Sequence, residues 1–192
     1  MTAVTPRIAR MALPDFLRWE PNDGRRYELA DGEPRAMAPT SNVHGFLQAE
    51  LCAMIRNHLR AGDTGCEVVI APGIIPQLIS AHNFRIPDLG VTCAPILPGQ
   101  PNLPAPVLLV EILSPGNQAK TWSNVWAYTS IPSLAEILVL HSGRIAAEIL
   151  RRTPEGTWPE RTEEVLEGSL TLTSIGLVIN MAELYARSGL AA

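Results

Sequence analysis

Two apolar stretches decide how this chain folds: Arg85-Ile86-Pro87-Asp88-Leu89-Gly90-Val91 and Val107-Leu108-Leu109-Val110-Glu111-Ile112-Leu113-Ser114-Pro115. The second is the most continuous apolar run in the chain and predicts a central strand buried on both faces. The first predicts a shorter strand beginning just after Asp88. Each carries one carboxylate where a plain core strand would carry none. An unpaired buried carboxylate is costly, so it takes up a proton or finds a cation. Two of them converging from neighbouring strands point to a metal site built on Asp88 and Glu111.

Working outward, residues 94–105 hold Pro95, Pro98, Pro101 and Pro104 and must be irregular. Pro115-Gly116 ends the central strand, and a helical pattern follows over 118–129. Residues 137–140 and 144–150 read as strands joined by a turn at Ser142-Gly143. Upstream, strand-like runs at 67–70 and 74–79 are separated by Pro72-Gly73. Asp31-Gly32 between the short strand patterns 26–30 and 33–37 is a strong hairpin signal. Ser41 or Asn42 caps a helix that runs to about Ala61 and stops at Gly62. Its apolar positions Val43, Phe46, Leu47, Leu51, Met54, Ile55 and Leu59 repeat at helical spacing, so one face is core. A short helix at 14–20 opens the chain, and strands near 157–161 and 169–172 and a helix near 181–186 close it. The reading is α/β, a mixed central sheet flanked by helices, with no repeats.

A chain of 192 residues suits one domain with a substantial core. That domain is expected to span 1–192, with 1–12 flexible. No apolar run approaches the roughly 18 residues of a membrane span. The polar, basic start has no apolar h-region, which predicts no secretory leader. Cys52, Cys66 and Cys93 form no C-x-x-C pair and read as buried thiols of a cytoplasmic protein, without a disulfide framework. The net charge of −4 argues against non-specific binding of nucleic acid through charge alone, but leaves room for a local basic groove. Lys120 is the only lysine, and Arg supplies every other cationic side chain.

The segment 27–128 resembles the Uma-two family of restriction-endonuclease-like proteins, within the PD-(D/E)XK nuclease superfamily. The matching pieces are Tyr27-Glu28-Leu29-Ala30-Asp31-Gly32-Glu33, His44 at a helix start, Pro87-Asp88-Leu89 and Val110-Glu111-Ile112-Leu113-Ser114-Pro115. The helix ending in Tyr128, with Ile131-Pro132 after it, completes the set. The resemblance implies a restriction-endonuclease-like fold and Mg²⁺- or Mn²⁺-dependent hydrolysis of DNA. It makes Asp88 and Glu111 metal ligands, with the Ile112 carbonyl as a third, and Glu28 an additional acid acting through water. Hard divalent cations want oxygen donors, and Mg²⁺ keeps several waters, so two carboxylates suffice.

The superfamily's E-x-K pattern would put lysine at Leu113. The family tends instead to carry an Asp and, one turn later, a Lys on the following helix. Counting back from Tyr128, the lysine position is Asn124, and the Asp position holds Lys120. Lys120 shares that helix face. It either serves the site by positioning the attacking water, or merely binds phosphate or caps an acidic surface. The Asn at 124 leaves a second reading open, a catalytically degenerate nuclease-fold protein serving as a nucleic-acid-binding or assembly module. Cutting both strands of a duplex requires two sites, which implies a homodimer.

Other candidates carry less. His44 and Gln48, one turn apart, can both face the site. His58, His82 and His141 have no zinc-like spacing. Trp122 and Trp126 read as core packing rather than a base-stacking platform. Arg25, Arg26, Arg35, Arg56, Arg60 and Arg85 are the candidate phosphate contacts, and most of them read as ordinary solvated charges. Ser114 lacks the surroundings of a nucleophile elbow.

Overall fold

The computed structural model describes residues 10–190. The elements are α1 (Leu13–Arg18), β1 (Tyr27–Ala30), β2 (Glu33–Ala36), α2 (Asn42–Ala61), β3 (Glu67–Ile70), β4 (Leu89–Thr92) and β5 (Pro106–Leu113). They continue with α3 (Gln118–Tyr128), β6 (Glu136–His141), β7 (Ala147–Arg151), β8 (Glu163–Val165), β9 (Ser169–Leu172), β10 (Leu177–Asn180) and α4 (Met181–Tyr185). One six-stranded sheet runs β3-β4-β5-β6-β7-β8, and two hairpins, β1-β2 and β9-β10, stand outside it. Only β5 and β6 are parallel; every other neighbouring pair of the sheet is antiparallel. The crossover between β5 and β6 is α3, which a parallel pair requires.

The period of two along β5 sorts its side chains between two cores. Leu108, Val110 and Ile112 meet Leu47, Leu51, Ile55 and Leu59 of α2, joined by Leu138 and Leu140 and by the β9-β10-α4 segment. Leu109 and Leu113 meet Val125 and Tyr128 of α3, with Ile137, Val139 and Leu150. Glu111 therefore enters the α3 face. Ser41 caps α2 as expected, its Oγ accepting the His44 N–H at 3.2 Å. That bond starts the helix where His44 faces inward.

Asp31 and Gly32 form the β1-β2 turn, both with positive φ (52° and 85°), as a two-residue hairpin loop demands. A Cβ on Gly32 would meet the Arg10 Cβ at 2.5 Å, so the chain passes the turn closely. The expected flexible start covers 1–12; residues 1–9 lie outside the described residues. Residues 10–12, by contrast, are tied down, Met11 N–H donating to the Gly32 carbonyl at 2.8 Å and its own carbonyl pairing with His82 Nδ1.

Four expectations need correction. The run 74–79 is not a strand: Ile74 makes a single bridge to Arg85, and Pro76 then offers no N–H to extend a ladder. The strand near 157–161 forms instead at Glu163–Val165, beyond Pro159. The turn after β6 is longer than Ser142-Gly143, closing with His141 N–H on the Ala146 carbonyl, so β7 starts at Ala147. Cys66 and Cys93 are not separate buried thiols. Pairing of Glu67 with Thr92 sets them opposite each other, Cα atoms 3.9 Å apart, in a disulfide, and Cys93 is exposed. Cys52 is the free one, partly buried, with its thiol pushed up by burial. The cysteines thus carry no signal of a reducing compartment. No helix among the described residues is long and apolar enough to cross a membrane.

Candidate active site

Asp88 stands where β4 has not yet begun. The last β4–β5 pair is Leu89 with Val110, and the residue before Asp88 is Pro87, which has no N–H. The Ile112 N–H thus projects past the end of β4, and Asp88 Oδ2 accepts it at 2.6 Å. The other oxygen, Oδ1, lies 2.8 Å from His44 Nε2. Gln48, one turn along α2, donates to the Asp88 main-chain carbonyl at 2.8 Å. Side chain and backbone of Asp88 are therefore both fixed by α2. The carboxylate partner assigns a proton to His44 Nε2, and Nδ1 lies 3.3 Å from the Ser114 hydroxyl.

Glu111 is buried among donors from α3. Tyr128 donates its hydroxyl to Oε1 at 2.8 Å, and the Asn124 amide reaches the same oxygen at 3.4 Å, which leaves Oε2 for the cavity. Burial pushes the Glu111 carboxyl well above the usual carboxylate range, and the nearby charges of Asp88 and Glu28 push it further. The bonds from Tyr128 and Asn124 pull the other way. The same burial and the same carboxylate hold the Tyr128 phenol well above its ordinary value.

Glu28 arrives from a separate piece of the chain. The β1-β2 hairpin docks through two bonds between Leu29 and Phe84, which bring Glu28 to full burial beside α3. The Asn124 amide donates to Glu28 Oε2 at 3.3 Å. Lys120 Nζ lies 3.0 Å from Oε1, an ion pair off the line of a hydrogen bond, so Oε1 has no aligned donor among the described residues. Behind them sits Arg85, buried, donating to Asn124 Oδ1 at 2.9 Å, with its Nε unpaired among the described residues. Asn124 thus links them: its oxygen accepts a hydrogen bond from the guanidinium, which turns its amide toward both glutamates.

Asp88, Glu111, Glu28, Ile112 and Lys120, the five residues expected at the site, all border one cavity of about 350 Å³, with His44, Ser114 and Asn124. Lys120 pairs with Glu28 rather than Glu111. Arg85, expected as a phosphate contact, is buried and serves the carboxylates through Asn124. Of the two tryptophans read as core, Trp122 is partly buried, while Trp126 is 45% exposed. Sequence reasoning missed the roles of Tyr128, Asn124 and Arg85. A Tyr and an Asn four residues apart, facing a strand with one carboxylate, were the available signal for the first two.

Among the described residues, no three His, Cys, Asp or Glu side chains form a ready-made cage for an ion. The donors present fit a cation that brings its own waters. They are two carboxylates, one just before β4 and one within the adjoining β5, a backbone carbonyl beside them and a buried glutamate oxygen without an aligned donor among the described residues. Three carboxylates against one lysine also leave an excess of negative charge, which adds to burial in raising the Glu111 carboxyl. A hard divalent ion relieves both.

A family profile described as "Putative restriction endonuclease" (Uma2) matches residues 13–182. The uncharacterized protein slr1290 of Synechocystis is 28% identical over 173 residues, which are 89% of each chain. The crystal structure of "a putative nuclease belonging to DUF820" from Anabaena variabilis covers 92% of this chain and 98% of its own, with a TM-score of 0.74. At 17% identity that likeness is one of fold.

Proposed function

The chain belongs to the Uma2 family, and from that premise we propose that it is a divalent-metal-dependent endonuclease hydrolysing phosphodiester bonds in DNA. The observation that carries the reading is the convergence of Glu28, Asp88, Glu111 and Lys120 on one cavity. Asp88 and Glu111, with the Ile112 carbonyl, would hold Mg²⁺ or Mn²⁺; when bound, such an ion offsets charge on the phosphate and favours ionisation of water. His44, Gln48 and the Ile112 N–H fix Asp88 in one orientation before any ligand arrives. Tyr128 and Asn124 do the same for Glu111 while turning its free oxygen to the cavity. Lys120 is the cation at the wall. Held by Glu28, its ammonium can bind a phosphate oxygen or orient the water that attacks phosphorus. The α3 side of the site is closed by the apolar cluster around Tyr128, which excludes bulk water from Glu111.

Calorimetric titration with Mn²⁺ tests the site: the parent binds, and Asp88→Ala and Glu111→Ala do not. Assays on plasmid, single-stranded DNA and RNA, with and without chelator, test the reaction and its substrate. If both variants bind Mn²⁺ as the parent does, the ligands are elsewhere. A second reading is supported by Asn124, which fills the position where a lysine is expected: a nuclease-fold protein that holds nucleic acid without cutting it. Metal-dependent cleavage by the parent, lost in Lys120→Met, excludes it. Cutting a duplex needs two sites, so we expect a closed two-fold homodimer, which light scattering at about 10 µM checks.

A further inference from the structure

The carboxylate-lined cavity poses an electrostatic problem for a polyanionic substrate. Its floor holds three carboxylates and its wall one ammonium, in a protein of net charge −4. A nucleic acid strand would be turned away at long range unless positive charge lies along its approach. Such charge lies at one side of the mouth. An open groove of about 700 Å³ adjoins the cavity, and the segment from Met37 to Thr40 walls both. The groove's other wall carries Arg25 and Arg26, both exposed.

These two cations are available. Arg26 makes no ion pair among the described residues, and the nearest acid to Arg25, Asp23, is 3.9 Å away with both side chains exposed. The Asp23 carboxylate is already engaged, accepting from the Tyr27 hydroxyl at 2.5 Å and the Arg25 N–H at 3.1 Å. Their position is also built. The Arg26 carbonyl accepts from Met37 N–H at 2.8 Å, closing the base of the β1-β2 hairpin. Arg26 lies two residues before Glu28, one strand repeat or about 7 Å away. The same short strand therefore presents a buried acid to the cavity and begins directly after the arginines of the groove.

We propose that this groove carries the phosphodiester backbone of the strand entering the acidic cavity, with Arg25 and Arg26 as its sequence-independent phosphate contacts. The inference rests on the reading of the cavity as a nuclease site. Fluorescence anisotropy of labelled random 20-mers in chelator, as single-stranded DNA, duplex DNA and single-stranded RNA, measures binding apart from cleavage. Loss of two phosphate contacts in Arg25→Ala/Arg26→Ala weakens binding and reduces the slope of log K against log salt by about 1.4 for single strands and 1.8 for duplex. The control is Arg56→Ala/Arg60→Ala, which removes the same charge from the exposed face of α2 and leaves the slope within about half a unit of the parent.

Equal losses in both double variants, no loss in either, or a parent that binds none of the three nucleic acids overturns the proposal. Binding of polyglutamate instead, through the same arginines, overturns it in favour of an acidic polypeptide. Mn²⁺ titration of the same proteins separates this inference from the one beneath it. A parent that binds nucleic acid through Arg25 and Arg26 but neither binds Mn²⁺ nor cleaves keeps the groove and loses the nuclease. A metal-dependent nuclease indifferent to the arginines does the reverse.

Discussion

Tyr128→Phe removes one oxygen from the core, and the structure sets both the size and the pH dependence of the effect. The hydroxyl donates to Glu111 Oε1 at 2.8 Å, both groups are buried, and among the described residues the only other donor to that oxygen is the Asn124 amide at 3.4 Å. The ring's packing against the α3-side core survives the substitution. Burial holds the native Glu111 carboxyl well above its ordinary value, and the tyrosine bond opposes that, so losing it raises the carboxyl further. Native Glu111 thus binds its proton more tightly than in the unfolded chain. Its contribution to stability is full below the unfolded pKa and is lost as pH rises through the folded one. A hydrogen bond to the neutral carboxyl is worth about 0.5–1.5 kcal/mol, and one to the carboxylate about 1.5–3. At this chain length 1 kcal/mol moves Tm by about 2–4 °C. In metal-free buffer Tyr128→Phe therefore lowers Tm by about 1–6 °C at acid pH and by about 3–12 °C at alkaline pH. Tyr185→Phe is the control. The Tyr185 hydroxyl lies 2.9 Å from the His141 and Ala146 carbonyls, and burial pushes it up to about 12, so it stays neutral throughout. Its cost is the same at both pH values. Equal costs for Tyr128→Phe at pH 5 and pH 9 would refute the reasoning.

Glu111→Gln removes a buried charge, so in chelator above neutral pH it stabilises the protein by about 1 kcal/mol or more, read as a higher urea midpoint, while abolishing the heat of Mn²⁺ binding. Lys120→Met lowers metal-dependent cleavage by about 10²-fold, with little rescue in Lys120→Arg, measured as initial rates on plasmid. Glu136 is fully buried and accepts from Arg151, Thr173 and Ser174, tying the segment before β10 to β6. Glu136→Ala strands those donors and costs about 3 kcal/mol, measured by denaturant unfolding, with no change in Mn²⁺ affinity.

Local pattern was enough to read much of this protein. The apolar period of α2, the Asp31-Gly32 turn and the unbroken run of β5 each encode their own conformation, and all three formed as read. Asp88 and Glu111 were legible for a related reason: a carboxylate in an apolar run is anomalous whatever surrounds it. Where a short run contained a proline, as at 74–79 and 157–161, local pattern misled, because a strand exists only if a neighbour can use its N–H groups. β10 was invisible on similar grounds, since four alternating residues become a strand only beside β9.

What tertiary structure alone decided is which groups meet. Glu28 and Asn124 are 96 residues apart in the chain and share a hydrogen bond. Cys66 and Cys93 pair only because β3 and β4 are antiparallel in one register. The partner of Lys120 followed from docking of the β1-β2 hairpin at Phe84, which put Glu28 rather than Glu111 beside the ammonium. The burial of Arg85 behind Asn124 followed from the same packing. A sequence states the conformational preference and chemistry of each side chain. Its partners depend on contacts between distant segments, whose energy exists only once the chain has folded.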